Sequence, residues 1–277
     1  MSFLDMIEQQ CFRRLGLLCQ AVADVCSLLE QDLLPREPIG HALPMAVKVT
    51  TTLNFFTSGS FQRSAALISQ SAAVGKCITQ VTNVMFHKSA NYVNVVIDEA
   101  SVTERGLSFM ALAGFPQMQD VSNCIHVAIK TPPHHPGVFV NCKGSHSLNV
   151  QLVCNNKKII MLVCARFPGS CHDSLMLPVH PPSAFRTSKQ TYRLAVWSQG
   201  LSTEDLADDT LRRPTNEAEE LYNVNHMSTR CVREQAISMM KMRFRCLDRS
   251  GGALQYASAR VSRMIMVCCV LQNIVQQ

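Results

Sequence analysis

The hydrophobic pattern of this chain changes once, and that change limits its possible folds more than any other feature. Up to about Ala113, apolar residues recur at three- and four-residue steps, as in Leu15, Leu18, Val22, Val25, Leu28 and Leu29, the spacing of one buried helix face. Beyond Gly114-Phe-Pro116 they gather instead into short β-rich runs. Cys124–Ile129, Ser147–Cys154 and Ile159–Cys164 each suit a strand, and Asn155-Asn156-Lys157-Lys158 between the last two is a hairpin signal. A further strand is predicted over Thr191–Trp197, and helices return over Glu217–Arg245 and Ala257–Ile274. This order predicts a helical region over residues 1–116, followed by an α/β domain over residues 117–277.

Within the helical region, Pro35 and Pro38 end the first segment, because proline cannot continue a helix. Further helices are predicted over Pro44–Phe56, Gln62–Ser69, Ala73–Phe86 and Glu99–Ala113, with a turn at Thr57-Ser-Gly-Ser60. Short helices around a tight turn, with Arg63, Lys76 and Lys88 nearby, fit a helix-turn-helix that reads DNA. They equally fit a small bundle that only packs.

Composition narrows the function classes. Of 277 residues, 47% are hydrophobic and 17% charged, which excludes a disordered chain and supplies a core. A net charge of +6, with pI near 8.7, favours an anionic partner but falls short of a strongly basic nucleic-acid module. The thirteen cysteines form no C-x-x-C pair, and reduced thiols are expected, with Cys154, Cys164, Cys268 and Cys269 as small core residues. The opening residues lack the pattern of a secretory signal, and the apolar run Met264–Leu271 is short of the roughly 20 residues that span a bilayer; an intracellular protein outside the membrane is expected. No phosphate loop or dinucleotide glycine fingerprint occurs, and no G-x-S-x-G elbow supports a hydrolase triad; no small-molecule substrate is expected. The histidines are paired only at His134-His135, without partnering cysteines, which argues against zinc.

Two acids stand out. Asp173 follows a predicted strand, where functional side chains are common. Glu234 lies inside the long predicted helix, near Arg233, Lys241, Arg243 and Arg245. Glu234 is then either an ion-pair partner on a solvated face, or it meets Asp173 in space and shares divalent metals with it.

Ordered strings sharpen this choice. Phe56-Thr-Ser-Gly-Ser-Phe61, Asp98-Glu-Ala-Ser101, Leu112-Ala-Gly-Phe-Pro116, His126-Val-Ala-Ile-Lys130 and Lys143-Gly-Ser-His-Ser-Leu-Asn149 precede Phe167-Pro-Gly-Ser-Cys-His-Asp173, Arg243-Phe-Arg-Cys-Leu-Asp248 and Gly252-Ala-Leu-Gln-Tyr256. Together, from about Arg13 to Gln277, they resemble the PIF/Harbinger family of transposases and the nucleases derived from it. The resemblance implies an RNase H-like mixed sheet flanked by helices, preceded by an all-α, helix-turn-helix-like N-terminal region. It implies DNA cutting by an acidic (DDE) site that binds Mg2+ or Mn2+. It also implies a Myb-like DNA-binding protein partner, and a location in the nucleus, or in the cytoplasm when that partner does not import the chain.

Carried over by position, the acids are incomplete. The first family acid is Asn123, in Asn123-Cys-Ile-His126; the second is kept as Asp173; a further one is Val196, in Leu194-Ala-Val-Trp-Ser-Gln-Gly200; the helix glutamate is kept as Glu234. Asp173, Glu234 and Asn123 are therefore the candidate catalytic and metal-binding residues. Cys142 replaces a basic residue, Gln272 replaces a histidine, and the turn before the second DNA-reading helix is about two residues short of the usual length. The expectation is a metal-dependent DNA endonuclease with impaired catalysis. The alternatives are a catalytically silent DNA-binding or protein-interaction module, and a copy whose folding is compromised.

Overall fold

The computed structural model of the protein describes residues 7–34, 43–59, 71–95, 98–114, 120–173, 176, 194–196, 214 and 216–276. Helices α1 (Glu8–Leu15), α2 (Cys19–Leu33), α3 (Met45–Ser58), α4 (Ser71–His87) and α5 (Glu99–Ala113) come first. Strands β1 (Asp120–Ala128), β2 (Ser147–Cys154), β3 (Ile160–Pro168) and β4 (Leu194–Val196) follow, then α6 (Glu217–Arg243) and α7 (Ser258–Gln276). The predicted helix over Gln62–Ser69, Arg63, and the charged segment from Leu201 up to Arg213 lie outside the described residues; of the predicted turn Thr57-Ser-Gly-Ser60, Thr57 and Ser58 instead end α3, Gly59 follows them, and Ser60 lies outside the described residues.

The apolar stripe from Leu15 to Leu29 is split between two helices rather than carried by one. Gly16 closes α1 in the left-handed region at φ 73°, a conformation glycine adopts without steric cost. The break makes Leu18 the residue that precedes α2, half exposed, while Leu15, Val22, Val25 and Leu29 stay buried. Cys164 is likewise only partly buried, unlike Cys154, Cys268 and Cys269.

The strands form one mixed sheet in the order β3-β2-β1-β4. β1 runs antiparallel to β2, with Val121 opposite Cys154 and Ala128 opposite Ser147, and parallel to β4, with Ser122 opposite Val196. β2 and β3 pair antiparallel as the hairpin signal requires, Lys158 supplying a left-handed turn residue at φ 63°. β1 begins at Asp120, four residues ahead of the apolar run, because its first residues are paired on both sides. β3 reaches Pro168, opposite Leu148, which an edge strand tolerates.

One face of this sheet, with Ile125, Val127, Ile129, Leu148, Val150 and Leu152, joins α1–α4 and α7 in the main core, while a smaller cluster of Phe109, Val121, Cys154, Val232 and Ala236 packs α5 and α6 against the start of β1. That core includes Leu29 of α2, Phe55 and Phe56 of α3, Ile78 of α4 and the whole inner side of α7. The boundary expected at residue 116 thus falls between elements that share their buried surface. Helix α7, with 19 residues and an 18-residue stretch of mean hydropathy 1.3, is long and apolar enough to cross a membrane by length and composition, but 56% of that stretch is buried inside the protein as in a core helix.

Candidate active site

Successive side chains of a strand point to opposite faces, and cross-strand partners share a face. This geometry decides where the candidate residues of β1 lie. Asn123 belongs to the face of Val121, Ile125 and Val127, beneath the helices. It lines a narrow apolar crevice with Cys154 and Ile160 of the sheet and Arg233, Ala236, Ile237 and Met240 of α6. Its Oδ1 accepts a hydrogen bond from the Cys124 amide at 2.9 Å.

The other face of β1 and β2 is a buried polar row. Ser122, Ser147, Asn149 and Gln151 are at most 1% exposed, at positions where a two-sided core would place aliphatic residues. Gln151 Nε2 donates to Ser122 Oγ at 3.1 Å. Asn149 Nδ2 donates both to the Cys171 carbonyl at 2.9 Å and to Asp173 Oδ1 at 2.7 Å, so it clasps the segment after β3 onto the sheet. Asp173 therefore lies on the face opposite Asn123, beside Cys124 and His126.

The surroundings of Asp173 are electrostatically mixed. Burial, and then the Asp173 carboxylate, push the Cys124 thiol far above its ordinary value, which keeps it protonated. His126 Nδ1 lies 3.0 Å from Ser147 Oγ, which also accepts from Asn141 Nδ2 at 3.0 Å. Burial lowers the His126 imidazole below its ordinary value; Asp173 opposes this, while Lys143 and Lys241 reinforce it. Burial also lowers Lys241, against the pull of Asp248. His126, on β1, thus has the Asp173 carboxylate on one side and the charges of Lys143, from the turn before β2, and Lys241, from α6, acting on it as well.

Glu234 sits elsewhere. Its half-exposed carboxylate is paired with Arg230 at 2.7 Å, one helical turn away, and lies 3.9 Å from Arg233. Val196 ends β4 beside Ser122, so the backbone positions of Val196 and Asn123 neighbour each other at the parallel pair. The fold brings those two positions together and sets Asp173 on the other face of β1 and Glu234 on the surface of α6. Among the described residues, no group of three His, Cys, Asp or Glu side chains is placed to hold a metal ion.

Asn149, Ser147 and Asn141 are the site residues that sequence reasoning overlooked. Their signal was available: Ser147, Asn149 and Gln151 alternate strictly with Leu148, Val150 and Leu152, a polar stripe on a strand. The Arg105–Asp120 pair, with Nε and Oδ2 3.6 Å apart in the interior, has no local signal at all.

Comparison with known proteins agrees with this architecture. The family model described as "DDE superfamily endonuclease" matches residues 122–273. Proteins named "Putative nuclease HARBI1" are similar along nearly the whole chain. The Homo sapiens protein is 35% identical over 276 residues, 98% of this chain and 78% of its own length. The Mus musculus protein is 33% identical over 274 residues, with the same coverage of each. The Xenopus laevis protein is 32% identical over 243 residues, 86% of this chain and 69% of its own. No solved structure matches. A family match across more than half of the chain, and relatives of this identity over most of their length, make this protein a member of the DDE superfamily endonucleases, within the Harbinger-derived group.

Proposed function

We propose that this chain is a DNA-acting, RNase H-like member of its family whose strand cutting is impaired, and which works mainly as a DNA-binding module in the nucleus. The mixed sheet, with its one parallel pair beside an antiparallel meander and helices packed on it, supports the RNase H-like reading. The observation that carries the impairment is the separation of the three candidate ligands: Asn123 faces α6, Asp173 faces the polar row, and Glu234 is held by arginines on the surface.

A centre for two Mg2+ or Mn2+ ions needs several anionic oxygens at one spot, to hold the ions and offset their charge. Asn123 offers a neutral amide, Asp173 Oδ1 already accepts from Asn149, and Glu234 is compensated by Arg230. The described residues do not fit such a centre, and no cutting step is assigned to one. What they do fit is a phosphodiester held near His126, where Lys143 and Lys241 provide donors and positive charge. The helix-turn-helix-like N-terminal region and a Myb-like partner complete DNA recognition and nuclear entry in this reading, the chain staying cytoplasmic when that partner is absent.

The test is nicking of supercoiled plasmid with Mn2+, for the unmodified chain, Asn123→Asp, and the Asn123→Asp/Val196→Asp double variant. Because the fold sets positions 123, 173 and 234 apart, neither variant should nick faster than the unmodified chain, whereas rescue by the double variant, which would rebuild one catalytic unit, would show that these positions converge. Strong nicking by the unmodified chain, abolished by Asp173→Ala, would overturn the impairment and leave an active nuclease.

A further inference from the structure

We propose that the groove between α4 and α7 is a seat for the sugar-phosphate backbone of duplex DNA, separate from the sheet face that carries Asp173. The proposal rests on the DNA-acting reading above and deepens it.

Helix α4 carries two stripes. Val74, Cys77, Ile78, Val81 and Met85 are buried in the core. The opposite stripe, Ala72, Gly75, Lys76, Thr79 and Gln80, lines an open groove of about 360 Å3, whose far wall is Arg260 of α7. Lysine and arginine supply its charge, and no carboxylate lines it among the described residues. Ala72 and Gly75 keep its floor low. A glycine inside a helix costs about 1 kcal/mol relative to alanine. Here its carbonyl accepts from Arg260 Nη2 at 3.2 Å and from Thr79 Oγ1 at 2.7 Å.

Arg260 is organised in advance. Its guanidinium lies 4.1 Å from the centre of the Tyr256 ring as well as bonding Gly75, and its Nε has no hydrogen-bond partner among the described residues. A guanidinium already fixed in position loses little rotamer entropy when a phosphate arrives. Arg263, one turn further along α7, is exposed, held over Phe86 and bonded to Asn83 Oδ1 at 3.0 Å. Positive charge therefore continues along α7 as a line instead of closing into a cup.

A line of fixed cations matches the regular phosphates of a duplex, which carries one charge per about 1.7 Å of axis. Single strands are held chiefly by bases stacked on free aromatic faces. Among the described residues no ring lines the groove, and Tyr256 behind Arg260 is engaged by that guanidinium and by the edge of Phe55 at 5.9 Å. Nothing in the groove reads base edges, so the contact is independent of sequence.

The experiment measures anisotropy of a labelled random-sequence duplex with the full chain, from about 50 to about 200 mM salt. Each phosphate contact removed lowers the slope of log K against log salt by about one. Lys76→Gln should therefore lose about one and Lys76→Gln/Arg260→Gln about two, with affinity down about tenfold or more at the lower salt. Arg260 also braces the fold, so Gln80→Lys, at an exposed position, serves as the second variant and should raise both affinity and slope. If the unmodified chain binds duplex but all variants match it, the groove is wrong and the DNA-acting reading stands. Absence of duplex binding by the unmodified chain removes both. Tighter binding of a single-stranded RNA of equal length, lost in the same variants, overturns the duplex assignment.

Discussion

Asp120 is a carboxylate with no exposure to solvent, set at the first position of β1 and 3.6 Å from the guanidinium of Arg105. Burial pushes its carboxyl up to about 7, Arg105 pulling in the opposite direction without overcoming desolvation. In the unfolded chain it titrates near about 3.9. The folded state therefore binds more protons between about pH 4 and about pH 7, and this part of the stability, fully present below that window, is lost as pH rises through it. Asp120→Asn should flatten the loss, which for one group cannot exceed about 1.4 kcal/mol per pH unit. Thermal melts of both proteins from about pH 5 to about pH 8 test this; parallel curves would show that Asp120 stays ionised throughout. Nothing near Asp120 in sequence announces the pairing, since Arg105 comes from α5. Asp173 and Glu234 were legible as singular residues because their neighbours in the chain are unusual. Their separation was not, because a strand face and a helix face depend on what packs against them.

Helix and strand ends show the same division. α5 and β2 have the bounds that their local pattern predicts. The Asp98 side chain accepts from the Ser101 amide at 2.8 Å, and Gly114 turns left-handed at φ 67°, so both ends of α5 are set by residues beside them. β1 and β3 run longer than their apolar cores because pairing partners extend them. The end of α3 adds a distant constraint. Gly59 has φ 112°, and a Cβ placed there would lie 2.7 Å from the carbonyl oxygen and 2.9 Å from the Cα of Gly251. Two backbones from opposite ends of the sequence meet with no room for a side chain. Gly59→Ala should cost about 2 kcal/mol or more, read as a lower urea midpoint with unchanged slope. An unaltered midpoint would mean that the junction between α3 and the turn at Arg249–Gly251 is looser than the packing indicates.

At the scale of the whole molecule, Asn273 shows how the parts are joined. It is fully buried on α7, accepts from the Ile160 amide at 2.8 Å, and donates to the carbonyls of Ile160 at 2.6 Å and Tyr92 at 2.8 Å. One amide thus ties α7 to the start of β3 and to the segment after α4. Asn273→Ala strands two buried backbone groups of Ile160 and the partly buried Tyr92 carbonyl, and should cost about 3–5 kcal/mol. Because one core spans the N-terminal helices and the sheet, exchange protection in α2 and β2 should fall together in a single transition. Loss in β2 alone would indicate two independent units. The sequence by itself determined the succession of helices, strands and helices, the hairpin, the family and the missing charges at Asn123 and Val196, because periodicity, turn residues and side-chain identity are properties of neighbours. Only the tertiary structure decided that Asp173 and Asn123 lie on opposite faces of β1, and that α4 and α7 frame a basic groove. Those facts follow from strand register and from helices packing across long stretches of chain, where no local pattern carries the information.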